Sequence, residues 1–514
     1  QNPYWIQNRI NRTSNKKRYM MNASLKWQAA DWLNVVGRVN LDNSDYRNKN
    51  EKSASTLTTF CGVSGGFEDA MRQERSLYAD FLANIDKTFG DFHLTANVGA
   101  SIYHTSMDQL YIAGDLVIPN FFQINNINFS ANYKPDPTGY EDEIQSIFAS
   151  AELSWKNQLY LTVTGRNDWD SKLAFSKQKS FFYPSVGLSA LLSEMVKLPE
   201  VISYAKIRGS YTVVASSFDR FLTNPGYEYN SQTHNWANPT VYPMDNMKPE
   251  KTKSWEIGLN LKFWGNRFNL DATYYRSNTL NQTFKVDIPS SSGYKQAIVQ
   301  AGNVQNQGLE LALGFNDKWA GFGWSSNATF TLNRNKVKRL ASGSVNPVTG
   351  EAIQMDEMNV GWLGKENVAP RVILTEGGSM TDIYVYNQLT KDNNGNIKVD
   401  QNGNLGITSS NTPVKVGNLD ADFNLGWTNH FTYKGIDLGV VLSARVGGLA
   451  YSATQGILDY YGVSGTSATA RDNGGIPINN GKVTPKSITR LLVRVKVATV
   501  VIIYIVQPMY VCRN

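Results

Sequence analysis

The sequence predicts an all-β chain folded as a transmembrane antiparallel β-barrel, and three observations carry that reading. Long segments alternate apolar and polar residues with period two. The connections between them come in two lengths, tight turns and long polar loops. The bulk composition is wet, with 41% hydrophobic residues and a mean hydropathy of −0.36. Successive side chains of a strand point to opposite faces, so each alternating segment has one greasy and one polar side. A membrane barrel needs only every second residue to be apolar, which reconciles such strands with that composition.

The strands follow in order. Tyr19, Met21, Ala23, Leu25 and Trp27 form one row, with Met20, Asn22, Ser24, Lys26 and Gln28 opposite. This strand turns through Ala29, Ala30 and Asp31 into 32–42, whose apolar row is Leu33, Val35, Gly37, Val39 and Leu41. Segment 77–87 turns at Gly90 into 92–104. Segment 144–155 turns at Lys156, Asn157 and Gln158 into 159–170. Segments 182–192 and 204–214 are joined less tightly. Then 254–263 turns at Gly265 and Asn266 into 267–278, and 308–316 turns near Gly321 into 324–337. The last pair is 419–433 and 436–447, joined at Lys434 and Gly435. The alternation test counts about 14 strands.

Aromatics gather at the short turns: Trp27, Trp32, Trp155, Tyr160, Phe263, Trp264, Trp319 and Trp324. Amphipathic rings collect at the headgroup level of a bilayer, so these residues are expected to form a membrane girdle. Strand propensity alone also enriches tryptophan, and that is the plainer alternative. The long connections are 48–74, 107–142, 216–250, 338–416 and 452–487, rich in Asn, Ser, Gly and Thr. In a membrane barrel such loops face outside, and loops held on a rigid scaffold carry function. Trp236, Tyr227, Tyr229 and Tyr242 in one loop, with Tyr384 and Tyr386 in another, are candidates to stack on sugar rings or peptide side chains; ordinary loop packing is the competing reading.

Other chemistries find no support. The net charge is +7, without a basic block interleaved with aromatics, so nucleic-acid binding is not expected. Two cysteines, Cys61 and Cys512, exclude a disulfide framework. The four histidines (His93, His104, His234 and His430) have no nucleophile or acid at telling spacing. His93 alternates onto the polar face of its strand. Asp392, Asn394, Asn396 and Asp400 resemble a calcium loop only weakly, because the sixth-position glycine is missing; Asn394-Gly395 and Asn402-Gly403 read better as turns. No catalytic residue, cofactor or metal is therefore expected, and the chain is read as a channel or transporter rather than an enzyme.

Several phrases resemble the barrel of the SusC/RagA family of TonB-dependent outer-membrane transporters of Bacteroidota. They include NPYWIQNRINRTSNKKRYMMNASLKW, GRNDWDS followed by FFYPSVGLSALLSE, AKIRGSYTVV, MKPEKTKSWEIGLNLKFWGNRFNLDATYYRSNT, NVQNQGLELAL and SATARDNGGIP. The resemblance covers essentially 2–486. The chain departs from it at 418–422, where Leu419 stands in place of the proline that usually follows Gly-Asn. The resemblance implies a barrel of about 22 strands closed by an N-terminal plug, so this chain is expected to be an incomplete barrel whose plug lies upstream. Gln1 with no leader before it fits that expectation, because export requires one. It also implies a SusD-like surface lipoprotein acting as a lid, energy from TonB through an upstream segment, outer-membrane lipid around the wall, and import of an oligosaccharide or peptide. A siderophore-type receptor is the nearest alternative. A barrel-anchored hydrolase and a passive porin are alternatives of a different class.

The reading divides the chain into a partial barrel, 1–486, and a tail, 487–514. From Ile488 the tail has no glycine and no acidic residue. Where the family continues with Tyr-Tyr-Gln-Thr and a strand beginning Ala-Thr-Asn-Val-Arg, this chain has neither. Reading permitted codons for 488–514 one base earlier yields YYQTVGSGKGGYGSDYLYSATNVRLQE, which restores both phrases in order. The tail is accordingly expected to be the out-of-frame product of a frameshift near Ser487.

Overall fold

A computed structural model describes residues 2–129, 134–223, 226–230, 235–244, 247–341, 344–353, 355–363, 370–399, 401, 405–478, 481–483, 495–498 and 504–506. One sheet dominates it. Fourteen long strands follow one another as an antiparallel meander. They are β1 (Ile10–Ala30), β2 (Leu33–Lys52), β3 (Gly66–Phe89), β4 (Phe92–Asp115), β5 (Lys134–Trp155), β6 (Leu159–Asp170) and β7 (Phe181–Leu191). They continue as β8 (Ile202–Ser216), β9 (Glu250–Phe263), β10 (Phe268–Asp287), β11 (Gln296–Trp319), β12 (Phe322–Arg339), β13 (Phe423–Tyr433) and β14 (Ile436–Ala450). Among the described residues β1 pairs only with β2. The far edge of β14 meets two short strands of the tail, Val495–Ala498 and Tyr504–Val506; the rest of 487–514 lies outside the described residues.

The register keeps the apolar row on one face from strand to strand. Leu25 faces Gly37, which faces Phe81, Ala100, Ile147 and Asn167 in turn. Further along, Ile257 faces Tyr274, and Leu309, Leu332 and their successors carry the same row to Leu425 and Ala444 on β12–β14. These side chains are not packed against a second layer. Met21, Leu25, Phe81, Val98, Ile147, Leu188 and Ile257 are all among the exposed large hydrophobics, Leu25 at 77%. A one-residue slip would turn every row over, so an exposed row in continuous register means a sheet that keeps one greasy face outward. The band spans 19–27, 33–41, 77–85, 147–155 and 255–263, roughly nine residues, close to the ~9–11 of a tilted membrane-spanning strand. The chain therefore does not fold as a soluble sandwich, in which those rows would be buried against each other.

Short turns close one end. Ala320-Gly321 and Lys434-Gly435 hold both central residues at positive φ, +44° and +88° in the first and +44° and +86° in the second. Their backbone twist then matches that of the flanking strands. A Cβ at Gly435 would meet nothing, so only its left-handed backbone resists substitution. Gly435→Val is expected to cost about 1–2 kcal/mol of hairpin stability, measured as a shift in the denaturant midpoint. Gly435→Asn, which tolerates that backbone, should cost far less.

At the other end the strands outrun the sequence-based expectation. β3 and β4 are 24 residues each, and β2 runs on to Lys52, so much of 48–74 and 107–142 is strand rather than loop. Above the band both rows turn polar. Asp45 accepts from Gln73, Arg47 holds Asp69 at 2.8 Å, and Asn50 bonds Glu68. Without an apolar row there is no alternation to read. The packed cores of the molecule also lie at this end. Phe284, Val286, Val299, Val337, Leu340 and Leu374 form one; Leu173, Phe181, Phe218 and Met247 form another.

Candidate functional site

The face opposite the greasy row is a wall of paired polar groups. Arg38 on β2 donates to Asp80 on β3 at 3.0 Å. Three strands on, Arg166 bridges Ser146 on β5 at 2.8 Å and Asp168 on its own strand at 2.7 Å, and the Tyr183 hydroxyl donates to Asp168 at 2.6 Å. Arg208, Asn260 and Asp271 repeat the motif across β8, β9 and β10, at 3.0 Å for each donor to the carboxylate. His93 lies on this face against Asp86, 2.8 Å away. These groups line what a closed barrel makes its polar interior. Their charges are paired within and between strands, which leaves the wall wet with little net charge.

The short-turn end carries a chain of touching aromatic rings. Trp264 touches Phe263 and Phe268 with ring centres 5.8 and 5.2 Å apart. Phe315 lies 4.7 Å from Phe268 and 4.8 Å from Trp324, and Trp324 stacks on Phe431 at 6.1 Å. The chain of rings thus crosses β9 to β13. Trp27 and Trp155 lie on the outward row at the same end, and Trp32 in its turn stacks under the Lys87 ammonium at 5.2 Å. Tyr160 departs from the expectation. Leu159 and Leu161 take the outward row, so Tyr160 pairs with Ser154 and Ser189 on the polar wall, and its hydroxyl donates to the Asn157 carbonyl.

The loop aromatics divide. Tyr229 and Trp236 sit opposite each other on a small hairpin, ring centres 5.1 Å apart and both exposed, with Tyr227 exposed beside them. Tyr242 instead packs edge-on against Tyr294 beside the largest core. Between β12 and β13 the long connection folds into a four-stranded sheet, Glu357–Trp362, Arg371–Thr375, Asp382–Leu389 and Ile407–Asn418, where a loop was expected. Tyr384 is buried there, its hydroxyl 3.1 Å from Thr375 Oγ1, so it presents no ring to solvent. Tyr386 lies under the guanidinium of Arg371, a residue that no motif singles out. Asp382 anchors the sheet: it is fully buried and bonded to Lys415 at 2.5 Å and to the Ser379 N–H at 2.9 Å.

The weak calcium-like segment is a turn. Asp392 accepts from the backbone N–H groups of Asn394 and Asn396 at 2.8 and 2.9 Å; Asp400 and Asn402 lie outside the described residues. The backbone N–H of Asn396, helped by its side-chain amide, holds the Asp392 carboxyl below the usual carboxylate range. Burial pushes the Cys61 thiol up, away from thiolate chemistry.

Comparison with known proteins agrees with this geometry. Residues 1–364 match the family model described as TonB dependent receptor-like, beta-barrel. TonB-dependent receptor P3 of Formosa agariphila is 23% identical over 468 residues, spanning 85% of this chain and 45% of the relative. TonB-dependent receptor SusC of Bacteroides thetaiotaomicron is 26% identical over 355 residues, 63% of this chain and 34% of the relative. The chain thus spans less than half the length of the curated relatives it matches. The solved RagAB peptide transporter superposes with a TM-score of 0.72 at 14% identity, covering 89% of this chain and 50% of that one.

Proposed function

Because the chain belongs to the TonB-dependent receptor β-barrel family of the outer membrane, we propose that it is barrel wall of an active importer for a bulky nutrient, an oligosaccharide or a peptide. A SusD-like surface lipoprotein serves as lid, and TonB supplies energy through the plug of the whole transporter. The observation that carries this reading is the exposed apolar band backed, residue by alternate residue, by a polar wall. Such a sheet is stable where one face meets hydrocarbon and the other meets water. Selection of cargo falls to the outer loops, where Tyr229 and Trp236 offer ring faces. The relatives are named as receptors, which supports passage of cargo without covalent chemistry. The likeness to a solved peptide transporter supports the nutrient reading over the siderophore one. The shifted-frame origin of 488–514 is part of the same proposal, and resequencing through the Ser487 codon checks it.

Deleting the gene in its host should abolish growth on one oligosaccharide or peptide fraction as sole carbon source and leave growth on glucose unchanged. Restoring the gene as Trp236→Ala should lower uptake of that fraction roughly ten-fold at limiting concentration, the effect of ~1.4 kcal/mol of lost binding. Undiminished growth of the deletion strain on every oligomer fraction overturns the reading.

A further inference from the structure

We infer that Arg371 on the loop sheet is a binding site for an oxyanion, a carboxylate or sulfate carried by an acidic oligosaccharide; this rests on the import reading above. The guanidinium lies 3.4 Å from the ring centre of Trp362 on one neighbouring strand and 4.8 Å from that of Tyr386 on the other. Register explains the stack: Trp362 sits directly opposite Arg371, and Tyr386 is two residues along from Tyr384, its partner on the other side. Arginines elsewhere on the wall and rim, Arg38, Arg47, Arg166, Arg208 and Arg220 among them, hold carboxylates at 3.0 Å or less. Arg371 holds none among the described residues, and its Nε is withdrawn from solvent with no hydrogen-bond partner there.

Two aromatic faces fix the plane of a guanidinium by cation–π attraction and leave its in-plane edge as the direction of approach. That edge is a fork matched to the paired oxygens of a carboxylate or the face of a sulfate. The Nε, out of water and without a hydrogen-bond partner among the described residues, is unsatisfied until an anion arrives, so the site rewards an anionic group over a neutral one. The choice of a sugar over a peptide rests on the same rim, where Trp236 and Tyr227 are exposed on another loop at this end of the sheet and suit the CH faces of sugar rings; the tetraglutamate probe below decides it.

Calorimetric titration of the whole chain in detergent micelles tests this with tetragalacturonate, a neutral tetrasaccharide and tetraglutamate as probes. Tetragalacturonate should bind at least ten-fold more tightly than the neutral sugar, and Arg371→Gln should remove that preference without changing neutral-sugar binding. Arg371→Lys, which keeps the charge but not the fork, should retain part of it. If Arg371→Gln disturbs the fold by circular dichroism, the unaltered chain still decides: its preference must fall steeply as salt rises. A salt-independent preference, equal binding of acidic and neutral sugars, or tighter Arg371-dependent binding of tetraglutamate overturns the inference and leaves the import reading standing. Failure of the whole chain to bind any of the three probes overturns the inference, and growth of the deletion strain decides the import reading separately.

Discussion

Arginine in place of Val98 is expected to destabilise the sheet by about 2–4 kcal/mol in an apolar surround, whereas arginine at Asn97, one residue away, shifts stability by about 0.5 kcal/mol. Val98 lies mid-band on β4, half exposed, between Ala83 and Ala149 on the outward row. A charge there must leave water for hydrocarbon. Asn97 faces Asn84 and Ser150 on the polar wall, where a guanidinium keeps its hydration. Urea unfolding in detergent micelles, followed by tryptophan fluorescence, gives both values. Equal penalties at the two positions would show that the greasy row does not meet an apolar medium.

The second large effect concerns the open seam. In lipid vesicles the 514-residue chain by itself should pass no solute, by liposome swelling or by single-channel recording. Among the described residues β1 has β2 as its one neighbour, and β14 is covered by the two short tail strands. Within the band β1 therefore offers a row of backbone N–H and C=O groups with no partner among the described residues, and β14 offers those the tail strands leave uncovered. In hydrocarbon every such group costs several kcal/mol, and no side-chain contact on these strands offsets a row of them. Supplying the missing strands, as a longer chain or as a second fragment, should restore flux. Robust flux from the chain alone would mean that β1 and β14 close on each other.

What the sequence made legible follows the same physics. Where one face meets lipid, as in 19–27, 77–85 and 255–263, the outward row is apolar throughout and its partner row mostly polar, and the strands are readable with their turns. Above the band the rule lapses. Asn43, Asp45 and Arg47 share a row with Leu41, and nothing in their composition separates a tall strand from a polar loop. The sheet of 357–418 is hidden in the sequence because three of its four strands are interrupted by glycine or asparagine and the other, Arg371–Thr375, is only five residues long. Leu419 was read as the start of a strand that begins at Phe423, because the Leu-Asp-Ala-Asp stretch imitates alternation while its Asp420 accepts from Thr381 instead. Tyr384 and Tyr386 are two residues apart and alike in sequence. Only cross-strand packing buries one and sets the other against a guanidinium.

The tall strands have a consequence for the outline of the rim. A strand of 24 residues measures about 80 Å along its length, or about 55 Å of height at a steep lean, against ~25 Å of hydrocarbon. The surplus raises this part of the sheet as a stiff parapet about 30 Å above the leaflet, whereas β6 and β7, at 12 and 11 residues, add little beyond the hydrocarbon. The rim is therefore stepped, high on one side and low on the other.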